Sequence, residues 1–421
     1  MIQIRDVVDT GQSSHAPLCG RSTNQVDFRQ LSHLRSCALR AVWNTPQGVR
    51  VIGLISGTSM DAVDVAVADL SLDGPTVLLT PVEHAEHPFP AELRVPPTSA
   101  AELCELDTRL GQLFADAASR YEGDLVSSLG QTVHHRVEDG RCLGTLQLGQ
   151  PAWIAEVTGL PVVSDLRVRD VAAGGHGAPL ASTLDALWLA DLAADGPATA
   201  LNIGGIANVT KVSPAGVIAY DTGPGNALMD AAMVVLSGGL RDRDVDGEYA
   251  RRGRVRADLL DRLLADPYYA RPAPKSTGKE HFDRAYLDRA TEGLTMPAED
   301  LLATLTELTA RTVAAGCEGV VVGSGGGMRN PVLVESLRRH VDLRASDEFG
   351  LPSDAKEAYL AALLGFLGWH GLPANVPSAT GAAGPRPLGS FTPGRHPLRL
   401  PEPAITAVRG LRITGGHRAR T

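Results

Sequence analysis

Three short apolar runs in this chain each end in a turn of glycine and other small residues, and this recurrence constrains the fold more than any other feature. The runs and their turns are Val51–Ile55 before Ser56–Ser59, Ala200–Ile203 before Gly204–Gly205, and Val320–Val322 before Gly323–Gly327. Without bulky side chains, backbone N–H groups can approach phosphate oxygens and form an anion-binding concavity. One such turn is also typical of a plain hairpin, but three at strand ends favour phosphate binding. None ends like a P-loop or opens a helix like the dinucleotide fingerprint.

The first two turns lie inside repeated strand-turn-strand patterns. After the first turn, Val63, Val65 and Val67 alternate with smaller or charged residues, and after the second turn Asn208–Val212 resumes the apolar run. This echo predicts an α/β fold of two similar lobes that face one cleft. We predict lobe I at 50–195, lobe II at 196–370, and a return segment with a C-terminal tail at 371–421. Residues 1–49 lack a clear period and are predicted to be an N-terminal extension, either disordered or the result of a misassigned start.

Helical spacing of apolar residues adds the helices. Leu106, Leu110 and Phe114 predict a helix from about Ala101 to Ser119. The run Ala358–Trp369 is shorter than the ~18 to 20 residues of a membrane span and reads as a buried helix. Pro393–Thr421, rich in Pro and Arg, reads as a tail.

Composition excludes several classes of partner. The formal net charge is -9, which argues against broad binding to nucleic acid or to an anionic membrane, because such binding needs clustered Lys and Arg. The five cysteines are an odd number, and none is spaced as a zinc or redox motif. A reducing cytoplasm fits this pattern best.

Longer motifs along the chain resemble the anhydro-N-acetylmuramic acid kinase family, from about Val51 to Pro393 in the family's order. The first is the hairpin Gly53–Asp64. The others are Gly130–His134, Asp165–Asp170, Gly174–Pro179, Leu201–Asn208, Tyr220–Asn226, Pro274–Lys279, Gly325–Pro331 and Pro377–Ala382.

This resemblance implies the two-lobed, actin-like ATPase fold of sugar kinases and Hsp70, with ribonuclease H-like lobes and the active site in the cleft between them. It also implies a reaction in which ATP phosphorylates O6 of 1,6-anhydro-N-acetylmuramic acid while water opens the anhydro ring, giving N-acetylmuramic acid 6-phosphate and ADP. The pathway would be peptidoglycan recycling, and a homodimer is implied by the resemblance alone.

The resemblance and the glycine turns together assign the nucleotide site. The residues expected to bind ATP are Gly57, Thr58, Ser59, Met60, Asp61, Ala62, Val63, Asp64, Gly204, Gly205, Gly325, Gly326 and Gly327. Asp61 is also the expected ligand of Mg²⁺, which needs only one or two carboxylates besides phosphates and water. Stabilisation of the turn would explain Asp61 equally well. Asp64 is expected to point to the other face of the strand, toward solvent or backbone.

Asp221 is the candidate catalytic base. Water that attacks an anomeric carbon must lose a proton, and a carboxylate can accept it. Asp221 ends a predicted strand between glycine residues and matches the family's catalytic aspartate in Tyr220–Asn226. An Asx turn would also explain a carboxylate here.

The sugar contacts are expected at three residues. The lactyl carboxylate of a muramic acid suits a guanidinium, which Arg167 or Arg169 could supply, with Asp165 beside them. Glu357 matches a carboxylate that the family places near the sugar, although a first-turn Glu also favours a helix. A surface position would explain either arginine.

Three positions depart from the family pattern. Ala62 stands where the family has Gly, Leu129 where it has His, and His176 where it has Gln. If Ala62 needed a positive φ, the backbone would be strained by about 1 kcal/mol or more. Two other functions therefore stay open: another sugar or polyol kinase of this fold, and a nucleotide-gated binding module.

Overall fold

Two β-sheets organise the structure, and five strands in each are arranged in the same order. The structure is a computed structural model and describes residues 48–57, 60–402 and 405–415. Most of the predicted extension, residues 1–47, lies outside them. The described strands are β1 Val49–Ser56, β2 Ala62–Asp73, β3 Thr76–Pro88, β4 Leu125–Glu138, β5 Arg141–Leu148, β6 Val162–Ser164, β7 Ala198–Ile203, β8 Ile206–Ser213, β9 Gly216–Pro224, β10 Val320–Ser324, β11 Asp342–Ala345, β12 Ser390–Thr392 and β13 Gly410–Ile413.

The first sheet runs β12-β6-β4-β1-β2-β3-β13, with β5 paired to β4, and the second runs β11-β10-β7-β8-β9. Strands β1, β2 and β3 form an antiparallel meander, and β7, β8 and β9 form another. In each sheet a further strand pairs in parallel with the first strand of the meander, and another pairs in parallel with that one. These strands are β4 and then β6 in the first sheet, and β10 and then β11 in the second. The predicted echo is therefore a repeated topology, and the two-lobed α/β fold is confirmed.

Twelve α-helices connect and cover the sheets in the described part of the chain. They are α1 Ala100–Ala118, α2 Pro151–Thr158, α3 Val168–Ala172, α4 Ala181–Trp188, α5 Ala227–Leu236, α6 Glu248–Arg252, α7 Ala257–Leu264, α8 Arg284–Thr291, α9 Ala298–Ala314, α10 Pro331–Arg338, α11 Lys356–Trp369 and α12 Pro377–Thr380. The predicted helix near 101–119 is confirmed as α1. Its N-cap Ser99 accepts the Glu102 N–H, and Leu106, Leu110 and Phe114 are buried.

Helix α11 lies in the core shared by the two sheets. All of its residues except Glu357 are buried, as expected for a helix that is apolar on every side. Gly53 of β1 allows a close approach, since a Cβ there would collide with the carbonyl oxygen of Ala358. The helix packs on β1, β2 and β4. The opposite faces are covered by α1 and α2 on the first sheet and by α5 to α10 on the second.

Helix α11 falls within the predicted range of lobe II, 196–370, and packs on β1, β2 and β4 of the first sheet; the lobe boundaries stay a prediction. The segment that was read as a tail contributes β13, which pairs in parallel with β3 and buries Leu411. Separately, no helix among the described residues combines the length and apolar character needed to cross a bilayer.

Candidate active site

Asp221 lies on β9 and is held by one segment of the chain. Its N–H donates to the Lys275 carbonyl oxygen at 3.0 Å. The Tyr268 hydroxyl donates to the Asp221 carbonyl oxygen at 2.7 Å, and the Thr277 N–H donates to the carboxylate atom Oδ2 at 3.0 Å. Residues 268–277 therefore fix both the backbone and the carboxylate of Asp221.

The carboxyl group of Asp221 is half-buried, and this burial changes its acidity. Burial raises the pKa of Asp221 from its ordinary value of 3.8 to about 6, while the Thr277 N–H lowers the pKa in part. Desolvation disfavours the charged form, so the proton affinity rises. A carboxylate of this kind is ionised at neutral pH and still accepts a proton readily, which suits a general base.

The turn after β7 packs directly on the residues that follow Asp221. The Asn226 N–H donates to the Gly204 carbonyl oxygen, and the Gly225 N–H donates to the Gly205 carbonyl oxygen, each at 2.8 Å. A Cβ on Gly225 would collide with the Gly204 oxygen. Glycine at 225 thus permits a contact that fixes the second glycine turn beside the end of β9. Lys279 covers Gly205 from the other side.

The third glycine turn is joined to the start of α11. Gly325 has φ 88°, a value that favours glycine, and its N–H donates to the Ser353 carbonyl oxygen at 2.8 Å. Asn330 accepts the N–H groups of Val332 and Leu333, so the predicted N-cap of α10 is confirmed. Gly326 is exposed and Gly327 is buried against Ile203.

Glu357 is the exposed residue at the start of α11, and it links the two sheets. The Asn202 side-chain amide on β7 donates to its carboxylate at 3.4 Å. Burial raises the pKa of Asp64 and lowers the pKa of Arg167, and the charge of Glu357 adds to the first effect and opposes the second. Glu357 therefore acts electrostatically on both the first hairpin and Arg167.

Arg167 is a half-buried cation without an acidic partner in contact among the described residues. Its Nη1 donates to the Gly177 carbonyl oxygen at 2.8 Å, while its Nε is buried and finds no acceptor there. Burial lowers the pKa of the guanidinium, and Glu357 opposes this effect from a distance. Because buried charges are normally paired, the guanidinium keeps hydrogen-bonding capacity that the described residues do not use. Asp165 is exposed with φ 53°, and Arg169 is exposed.

The first hairpin presents a group of carboxylates. Asp61 is exposed, whereas Asp64 is half-buried on the face of β2 that looks toward α11. Burial raises the pKa of Asp64 to about 7, with further contributions from Glu86, Glu357, Asp61 and Asp354. The sequence predicts that Asp64 points toward solvent or backbone. In the structure its nearest charged neighbours are other acids.

Backbone strain in this hairpin falls on Met60 and not on Ala62. Met60 has φ 51° and donates its N–H to the Gly57 carbonyl oxygen at 3.1 Å. Ala62 is the first residue of β2 and does not have a positive φ. The strain expected if Ala62 needed a positive φ is therefore absent. Val63 is buried in the core. Thr58 and Ser59 lie outside the described residues.

The carboxylates of the first hairpin fit Mg²⁺ by their chemistry. Within the described ranges, no set of three or more His, Cys, Asp or Glu side chains is arranged to hold a metal ion. Mg²⁺ does not need such a cage, because one or two carboxylates with water and phosphate oxygens suffice. Burial and the neighbouring acids raise the pKa of Asp64, so a bound cation would stabilise its ionised form.

The structure thus relates Glu357, Arg167 and Asp64 through their charges, and Asp221, Gly204 and Gly205 through the contacts at the end of β9. Tyr268, which also positions Asp221, carries no sequence signal of such a role. Asn202 and Thr277 are part of the motifs Leu201–Asn208 and Pro274–Lys279, which were the only signals for them.

Two sheets of matching topology, with glycine turns at their strand ends and a half-buried carboxylate, define the class of two-lobed, actin-like ATPases that includes sugar kinases. Comparison with known proteins gives the particular family. The family described as anhydro-N-acetylmuramic acid kinase matches residues 49–394, and the chain belongs to it.

Three relatives that carry this name support the assignment. The protein from Streptomyces avermitilis is 56% identical over 84% of this chain and 97% of its own length. Those from Streptomyces coelicolor and Rhodococcus erythropolis are 55% and 49% identical, over 87% and 86% of this chain and 100% and 97% of their own lengths. The similarity covers nearly all of the length of each of these relatives.

Proposed function

We propose that this kinase converts 1,6-anhydro-N-acetylmuramic acid, water and ATP into N-acetylmuramic acid 6-phosphate and ADP. The observation that carries the proposal is Asp221, a carboxylate at a glycine-flanked strand end, held by Thr277 and made more basic by burial alone. A plain kinase needs a base to deprotonate a sugar hydroxyl, but ring opening needs a base for water. The family's name supports the anhydro sugar as the substrate.

The reaction follows from the bonds that change. The oxygen of water bonds to the anomeric carbon and passes a proton to Asp221, while the bond between that carbon and O6 breaks. O6 then bonds to the γ-phosphorus, and the bridge oxygen to the β-phosphorus leaves with ADP. Asp221, fixed by Tyr268 and Thr277, would hold the attacking water in place.

The glycine turns would bind ATP. In the proposal the first hairpin, Gly57 to Asp64, and the turn Gly204–Gly205 contact the phosphates, and Gly325–Gly327 contact the adenosine. Mg²⁺ would be held by Asp61, with Asp64 nearby, and would neutralise charge on the β- and γ-phosphates when bound. Gly57 supports this role, since a Cβ there would meet no described atom within 4 Å.

Arg167, Asp165 and Glu357 would bind the sugar. The unpaired Nε and the buried setting of Arg167 support recognition of the lactyl carboxylate, since a guanidinium binds carboxylates through two parallel hydrogen bonds. Glu357 would accept hydroxyl or amide protons of the sugar. Use of ATP and of a cell-wall fragment supports a cytoplasmic enzyme of peptidoglycan recycling, and we propose a homodimer from family resemblance.

Product analysis in oxygen-18 water tests the proposal. The enzyme is incubated with Mg-ATP and the anhydro sugar, and the product is examined by mass spectrometry. The proposal requires one labelled oxygen at the anomeric hydroxyl, a phosphate on O6 and one ADP per sugar. Anomeric oxygen exchanges slowly with water, so authentic unlabelled N-acetylmuramic acid 6-phosphate incubated in parallel is the control. Ready phosphorylation of ordinary hexoses with no turnover of the anhydro sugar would instead identify a plain sugar kinase.

A further inference from the structure

A buried ion pair joins three elements behind the candidate site. Lys356 Nζ of α11 lies 2.6 Å from Asp185 Oδ1 of α4, and the two side chains are only 7% and 4% exposed. The hydroxyl of Thr210, on β8, donates to Asp185 Oδ2 at 2.7 Å. The Lys356 ammonium also lies 5.8 Å from the centre of the Trp188 ring.

Stability alone does not account for this pair. Removing two charges from water costs several kcal/mol per ion, and apolar residues of similar volume often replace a buried pair without loss of stability. The same principle allows a buried pair to select one arrangement of the elements that it joins, and the position of this pair suggests such a role.

Both ends of the pair lead to a candidate site residue. Lys356 directly precedes Glu357 in the first turn of α11. Thr210 lies on β8, which pairs with β9 so that Thr210 is opposite Ala219 and Asn208 is opposite Asp221. The pair therefore ties the helix that carries Glu357 to the strand beside the one that carries Asp221.

We propose that Lys356, Asp185 and Thr210 are positioning residues that fix Glu357 relative to Asp221 across the two sheets. They contact neither substrate and act through α11 and β8. This inference rests on the proposed function, because it assigns Glu357 to the sugar and Asp221 to the attacking water. A displacement of about 1 Å between such groups can lower a rate about 100-fold.

The test compares single and double replacements of the pair. Lys356→Met and Asp185→Leu each leave one buried charge alone, so each should lower Tm by roughly 5 °C or more. The double variant, Lys356→Met with Asp185→Leu, should recover most of this Tm. Its kcat should nevertheless stay about 10- to 100-fold below that of the unmodified enzyme, with KM for ATP within about twofold. Thr210→Val removes only the link to β8 and should lower kcat several-fold.

A second ion pair, which includes a residue of β8 next to Thr210, supplies the matched control. Lys211 of β8 lies 2.7 Å from Glu318, with side chains 22% and 58% exposed. The double variant Lys211→Met with Glu318→Leu should keep both kcat and Tm near the values of the unmodified enzyme. If the buried double variant recovered kcat together with Tm, the pair would be purely structural and the inference would be wrong.

Hydrogen exchange separates this inference from the proposed function. A non-hydrolysable ATP analogue should slow exchange in 353–360 and in 206–213 together in the unmodified enzyme. In the buried double variant it should slow only one of the two segments. An unmodified enzyme that failed to turn over the anhydro sugar would refute the proposed function, yet linked exchange would still support coupling by the pair. Equal protection of both segments in the double variant would refute the coupling.

Discussion

Each sheet carries a half-buried carboxylate near a glycine turn, Asp64 on β2 and Asp221 on β9, and the two carboxylates occupy different electrostatic surroundings. In the first sheet, burial and neighbouring like charges together raise the pKa of Asp64, and Glu86 and Glu357 are the strongest of these neighbours. In the second sheet, burial alone raises the pKa of Asp221, and a backbone N–H stabilises its negative charge. The pKa values of about 7 and about 6 look similar, but their causes differ.

This difference suggests a division of roles within one repeated topology. A carboxylate surrounded by carboxylates gains most from a cation, which removes the repulsion. A carboxylate without charged neighbours gains most from a proton. The first hairpin is thus suited to Mg²⁺ and phosphate, and Asp221 on β9 is suited to proton transfer. The predictions below test this division, beginning with the largest expected effect.

Replacing Asp221 with Asn should cause the largest loss. An amide keeps the shape but cannot accept a proton at neutral pH, so kcat should fall about 10³-fold, within the usual range for general bases. Binding of a non-hydrolysable ATP analogue, measured by calorimetry, should remain within about twofold. In the unmodified enzyme, kcat/KM should fall below a pH of about 6, where Asp221 becomes protonated. Normal turnover by the variant would remove Asp221 from the mechanism.

Replacing Arg167 with Met should weaken sugar binding without an equal effect on ATP. The lost contact is a hydrogen-bonded charge pair of about 1.5 to 3 kcal/mol, so KM for the anhydro sugar should rise about 10- to 100-fold. Arg169→Met is the matched control, because Arg169 is exposed in α3, the helix that begins directly after Arg167. If Arg169→Met raised KM and Arg167→Met did not, the sugar's carboxylate would be assigned to the wrong arginine.

The sequence predicted the parts of this site that depend on local chemistry. Glycine turns after apolar runs located both hairpins, and Asn330 was recognisable as a cap because its partners are two and three residues away. The groups that adjust the site come from distant segments. Thr277, which donates to Asp221, lies 56 residues further along the chain.

Long-range packing explains the other omissions. The pair between Lys356 and Asp185 cannot be deduced from spacing, because each residue alone reads as an ordinary polar position on a helix. Strand β13 was missed since its pairing with β3 depends on where the chain returns. Helix α11 was recognised as buried, but its apolar surface on all sides gave no indication of which sheet it would contact.

Replacing Asp64 with Asn should raise the Mg²⁺ concentration needed for half-maximal activity about 10-fold. The variant lacks the ionised carboxylate that the neighbouring acids make costly without a cation. Because protons compete with the metal, the Mg²⁺ requirement of the unmodified enzyme should also increase as pH falls below about 7. This pH dependence should be weaker in Asp64→Asn. Asp69→Asn, on the same strand but paired with Arg50 at the surface, should leave the Mg²⁺ requirement unchanged.

The smallest expected effect is a gain of stability when the charge of either half-buried carboxylate, Asp221 or Asp64, is removed. For Asp221 the pKa is about 6 in the folded state and near its ordinary 3.8 when unfolded. As pH rises from about 4 to about 6 the unfolded state loses its proton first, so folding becomes less favourable; below that window both states are protonated and the difference disappears. Asp221→Asn should therefore raise the free energy of unfolding at pH 8 by about 1 to 3 kcal/mol, and have little effect near pH 3.

Asp64→Asn should also raise the free energy of unfolding, with the pH window of the change extending to about 7. This gain is expected only when no divalent cation is present. Saturating Mg²⁺ should cancel the gain at position 64, since the bound ion stabilises the ionised carboxylate of the folded enzyme. It should leave the gain at position 221 unchanged. Denaturant titrations at pH 8 with and without Mg²⁺ measure both effects. An equal response of the two variants to Mg²⁺ would contradict the division of roles between Asp64 and Asp221.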